Sequence, residues 1–107
     1  MPKMETVKDY CTHRLLITGK PDELKQFEHK VDVEDLPGAT DCSDVDCSPG
    51  RRVWQFVTES PAVPAIRALS RRWPKLVFIL HYDCEDCRTT ALVRIQNGQV
   101  TTHRFHY

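Results

Sequence analysis

Residues 73–86 read WPKLVFILHYDCED, and this stretch decides the fold. Positions 76–80 are apolar without a break, so they form a buried strand or a buried helix. Pro74 just ahead of them, with their β-branched and aromatic content, selects a strand. One face carries Leu76, Phe78, Leu80 and Tyr82, and the other Val77, Ile79 and His81. A strand apolar on both faces sits centrally in a sheet, and cover is expected on each side. The stretch then runs into Cys84 and Cys87, a close cysteine pair with metal-ligand spacing.

Working outward, a first strand is expected over 12–18, with Leu15 and Ile17 on one face and Leu16 on the other. Pro21 suits a first helical position, and Asp22 and Glu23 favour a helix start. Leu24, Phe27 and Val31 then recur at helical spacing. Residues 37–50 carry Pro, Gly, Ser and Asp and read as a long acidic loop containing Cys42 and Cys47. A second strand is predicted over 52–58. A second helix starting at Pro64 follows, with Ile66, Leu69 and Trp73 on its apolar stripe. Beyond the central strand, Asn97-Gly98 joins strands at 89–95 and 99–105 as a hairpin.

The predicted order is thus β-α-loop-β-α-β-β-β. With two helices on one face of a mixed or antiparallel sheet, this is the α+β class, as a ferredoxin-like two-layer sandwich. At 107 residues the chain is expected to be one domain, 1–107, with its core in 10–107 and a polar lead-in over 1–9.

Charge is balanced overall but not locally. Residues 1–50 hold 11 acids and 6 bases, and residues 51–107 hold 4 acids and 9 bases. With zero formal net charge there is no global field to draw nucleic acid or membrane. The acids at 32, 34, 35, 41, 44 and 46 read as a solvated loop or as a surface for a basic partner. No apolar stretch reaches membrane-spanning length, and the N-terminus shows no signal region. A cytoplasmic protein with reduced cysteines is therefore expected, Cys11 being a small core residue.

Several residues resemble the YubB-type ferredoxin-like domains of phage and plasmid proteins. These are CTHRLLITG at 11–19 with the following helix, Trp54-Gln-Phe, Ser60-Pro61, Leu69-Ser70, Trp73-Pro74, Tyr82-Asp83 and Asn97-Gly98. The resemblance spans residues 10–102 and implies a mobile-element origin and a ferredoxin-like fold. It carries no catalytic residues across, and the chain departs from the pattern at the cysteine-containing loop and at Cys84 and Cys87.

Cys42, Cys47, Cys84 and Cys87 form two close pairs, which is what a tetrahedral structural zinc site uses. Against that, x4 is wider than a usual knuckle, and Asp83, Glu85 and Asp86 add negative charge beside the thiolates. Those same acids weaken a redox reading of Cys84 and Cys87. His103 and His106 are three apart on a strand and point to opposite faces, while His81 reads as a hydrogen-bonded histidine. Eight arginines (51, 52, 67, 71, 72, 88, 94, 104) offer a basic face for phosphates. No phosphate loop, Ser/His/Asp order or paired-carboxylate motif stands out. The expectation is a small non-catalytic interaction protein of a phage or plasmid, binding a protein partner or a second copy as a homodimer. The alternative is a zinc-stabilised nucleic-acid-binding module.

Overall fold

The computed structural model describes residues 10–85 and 87–107. The polar lead-in 1–9 and Asp86 lie outside the described residues. The chain runs β1 (Cys11–Thr18), α1 (Pro21–Lys30), a 3-10 turn (Val33–Asp35), β2 (Thr40–Ser48), β3 (Arg51–Thr58), α2 (Val63–Arg72), β4 (Val77–Cys84), β5 (Thr89–Gln96) and β6 (Gln99–His106). One six-stranded sheet has the order β2-β3-β1-β4-β5-β6, and every neighbouring pair is antiparallel.

This corrects the expected ferredoxin-like two-layer sandwich in two respects. The sheet has six strands, more than that simple fold holds. The expected loop at 37–50 is mostly strand: Thr40–Ser48 pairs with β3 along the edge of the sheet. The sequence TDCSDVDCS lacks an alternating apolar face, because an edge strand that is mostly exposed needs none, Cys42 alone packing partly on the core. Its pairing is irregular, with register shifts between Thr40 and Ser43 and between Asp44 and Asp46.

The predicted central strand is central. β4 lies between β1 and β5, with Leu15 opposite Leu80 and Leu80 opposite Val93. Phe78, Leu80 and Tyr82 join Leu15, Ile17, Trp54, Phe56, Val93 and Ile95 on the buried face, under Leu24 and Phe27 of α1 and Ile66 and Leu69 of α2. Phe27 anchors this layer, with ring centroids 5.6 Å from Trp54, 5.3 Å from Trp73 and 5.9 Å from Phe78. α1 begins at Pro21, whose missing N–H costs nothing in a first turn, with Asp22 and Glu23 at the positive helix end.

Asn97 and Gly98 both have positive φ, 48° and 78°, the type I′ geometry that their identity predicts. The α2 side chains clasp this turn. Ser70 Oγ accepts the Gly98 N–H at 2.9 Å, and Arg67 Nε donates to the Gly98 carbonyl at 2.8 Å. At the other end of the sheet the sulfurs of Cys11 and Cys84 are bonded across β1 and β4, where these two residues are register partners. The expectation of wholly reduced cysteines is corrected here: Cys11 is a core residue, and also half of a disulfide.

Candidate functional site: the open face of the sheet

Both helices cover the same face, so the second face of β4 receives no helix. The expected cover on that side is missing among the described residues. Side chains alternate along each strand, and the register aligns them into rows across this open face. One row runs Val53, Leu16, Ile79, Arg94 and Thr101. The next runs Gln55, Arg14, His81, Leu92 and His103, and the one beyond it Val57, Thr12, Asp83, Thr90 and Phe105. Val53 is buried, and Leu16 and Ile79 are half-buried. Leu92 and Phe105 are 48% and 63% exposed, large apolar side chains left in water.

The charge on this face is one-sided across β1, β4, β5 and β6. Arg14 and Arg94 project there with His81 and His103, and Asp83 is the acid. Asp83 is engaged, because the Tyr107 hydroxyl donates to it at 2.7 Å. That contact also raises the Tyr107 pKa, since losing its proton would set two anions together. Arg94 donates to the Gln96 side chain at 3.2 Å, and His81 Nε2 lies 3.0 Å from Thr90 Oγ1. Arg14 makes no ion pair among the described residues. Beside it lies a shallow depression of about 330 Å³, lined by Thr12, Arg14, Gln55, Val57, His81 and Asp41.

Part of the acidic stretch is engaged within the fold. Arg52 of β3 bonds Asp44 on β2 and Glu28 on α1, and Arg51 bonds Asp46 at 2.5 Å. Arg51 and its hydrogen bonds hold the Asp46 carboxyl below the usual range. The Asp32 backbone donates to Asp35 Oδ2 at 2.8 Å and caps the 3-10 turn. Asp44 and Asp46 thus tie the β2 edge to β3, and Arg52 extends the tie to Glu28 of α1.

The four cysteines do not gather. β3 and β1 separate β2 from β4, about 14 Å at ordinary strand spacing, whereas zinc holds each sulfur at about 2.3 Å. Cys47 registers with Arg52, at the far end of β3 from Thr58, which registers with Cys11 and through it with Cys84. Cys84 is committed to Cys11, Cys47 reaches Glu28 Oε1 at 3.5 Å, and Cys87 sits exposed in the β4–β5 turn. Burial pushes the Cys42 thiol up, with Glu34 and Asp41 adding to it. The hydrogen bond to Glu28 pushes Cys47 up. These residues therefore do not fit the expected zinc site at Cys42, Cys47, Cys84 and Cys87, and among the described residues no other group of three His, Cys, Asp or Glu is placed to hold a metal ion.

The expected arginine face divides as well. Arg52 pairs with acids on the helix side, Arg67 clasps the hairpin, and Arg51 and Arg94 lie on the open face, Arg51 paired with Asp46. The residues that define the open face, Arg14, Leu92 and Phe105, were not singled out by motif. For Arg14 and Leu92, alternation with buried neighbours along the strand was the available signal. His103 and His106 do point to opposite faces, His106 Nδ1 lying 3.1 Å from Thr89 Oγ1.

No family model matches the chain, and no curated protein or solved structure matches it. The resemblance to YubB-type domains rests on its quoted residues alone.

Proposed function

We propose that this chain is a non-catalytic binding module that docks an acidic, partly apolar protein surface on the open face of its sheet. One observation carries the reading. Two large apolar side chains, Leu92 and Phe105, are solvent-exposed on a face whose central cations, Arg14 and Arg94, face no ionic partner among the described residues. Apolar anchors supply affinity and a one-signed rim supplies steering and register. A phage or plasmid origin belongs to this proposal only through the resemblance described above.

The test is a comparison of variants. The wild-type chain captures a discrete protein from a host lysate, and capture weakens as salt rises. Leu92→Asp and Arg14→Glu each abolish it while the far-ultraviolet circular dichroism stays unchanged. Capture that survives both substitutions overturns the proposal.

A second reading, nucleic-acid binding, is favoured by Arg14 and Arg94 on one face. It lacks a central stacking platform, because Trp54, Phe56 and Phe78 all face the helices. A gel shift of single-stranded RNA that is lost on Arg14→Glu and Arg94→Glu would replace the first reading with this one.

A further inference from the structure

The two edges of the sheet are built differently. β2 carries Asp41, Asp44 and Asp46, has two register shifts, and holds Asp41 at a φ of 49°. Bulges and charges of this kind stop an edge from recruiting another strand. β6 has no bulge, and Arg104 is its one formal charge. Gln99–His106 pairs with β5 without interruption, from Gln96 opposite Gln99 to Thr89 opposite His106. It contains no proline, glycine or acid, and all eight of its residues are exposed.

The I′ turn makes Gln96 and Gln99 the hydrogen-bonded pair beside it. Alternation then points the N–H and C=O of Thr101, His103 and Phe105 at β5. Those of Val100, Thr102 and Arg104 point away from the sheet. On the helix side, the β6 side chains are all exposed, so α2 does not obstruct a strand approaching that edge.

We propose that β6 is a homodimerisation edge: a second copy of this chain adds its own β6, antiparallel, about a two-fold axis through Thr102. The register follows from the side chains. With Thr102 opposite its counterpart, Val100 faces Arg104, Thr101 faces His103 and Gln99 faces Phe105. No like charges meet, and a cross-strand threonine pair is favourable. Centring on His103 or Arg104 instead would set identical cationic or titrating side chains against each other. The isologous pairing closes on itself and buries the one undefended edge. It also sets the two open faces side by side in a single twelve-stranded sheet, although it does not depend on what that face binds.

Sedimentation equilibrium and residue-resolved amide exchange test this together. The mass rises with concentration from 12.4 kDa to a plateau at twice that value. The amides of Val100, Thr102 and Arg104 gain protection in parallel, while those of Thr101, His103 and Phe105 are protected at every concentration. Thr102→Pro removes an outward N–H without touching the β5 ladder, so it leaves the chain folded and monomeric. Thr102→Lys does the same by charge, should the proline variant misfold. Leu92→Asp, which disables the open face, leaves the dimer intact, so the two proposals fail separately. A single-chain mass at all concentrations, a dimer that survives both Thr102 variants, or a mass that grows without plateau through β2-to-β6 joining each overturns the inference.

Discussion

His13 Nε2 accepts the backbone N–H of Ala62 at 3.0 Å, fixing the start of α2 to the centre of the sheet. The ring is buried and stacks on Phe56 with centroids 4.7 Å apart and planes 5° apart. Accepting at Nε2 places the proton on Nδ1, which finds no well-formed hydrogen bond. Burial lowers the His13 pKa from 6.5 to about 4, and the nearby backbone of Cys11 and Phe56 offsets this only in part. The folded state therefore resists protonation more than the unfolded chain does. Its stabilising effect is complete above pH 6.5 and is lost as pH falls from there towards 4, about 3 kcal/mol in all. Urea midpoints at pH 7 and pH 4 measure this. His13→Gln, which keeps an acceptor for Ala62, should flatten the difference. An equal pH dependence in the variant would assign the acid sensitivity to carboxylates instead.

Cys11 and Cys84 are 73 residues apart in sequence and register partners in space. Closing so long a loop in the unfolded chain removes entropy worth about 4 kcal/mol. Reduction by dithiothreitol should lower stability by about 2–4 kcal/mol, read from urea midpoints with and without reductant. Alkylation of the unreduced protein should label Cys42, Cys47 and Cys87 and spare the bonded pair. Labelling of all five cysteines before reduction would refute the pairing.

Phe27 is fully buried and stands against three aromatic rings, Trp54 of β3, Phe78 of β4 and Trp73 just after α2. Phe27→Ala removes those contacts and leaves a cavity that Trp54, Trp73 and Phe78 cannot close without moving. A loss of about 3–5 kcal/mol is expected, while Phe27→Leu should cost clearly less. Thermal melts of the two variants decide it, and equal melting temperatures would place Phe27 outside the core.

Much of the sheet was legible because its signals are local. Period-two alternation marks β1 and β3, the unbroken apolar run marks β4, and Asn97-Gly98 fixes the final hairpin. β2 was not legible: its fold is decided by the spare edge of β3 and by Arg51 and Arg52, which lie outside it in sequence. The disulfide was hidden for the same kind of reason, since nothing near Cys11 announces Cys84 as its neighbour. The candidate site was half legible. The two oily faces of β4 were visible, but local periodicity does not say that both helices settle on one of them. That choice comes from the connections: α2 joins β3 to β4 and must cross β1 on the face that α1 already occupies.

Arg52 shows how the irregular edge is held. Its guanidinium reaches Asp44 through two nitrogens and Glu28 through a third bond, and it lies 3.4 Å from the Cys47 sulfur. The two carboxylates raise its pKa further, Asp44 contributing most. Arg52→Met would leave Glu28 and Asp44 facing each other with no cation between them. The site is partly solvated, so the expected cost is about 1–2 kcal/mol, less than a fully buried pair would show. Arg52→Lys should recover little, because one ammonium cannot span both carboxylates. Adding Glu28→Gln to Arg52→Met should recover part of the loss by relieving the repulsion. Amide exchange along Thr40–Ser48 gives the sharper readout: β2 should open in Arg52→Met while β4 and β5 stay protected. Uniform protection across the sheet would show that backbone pairing alone holds this strand in place.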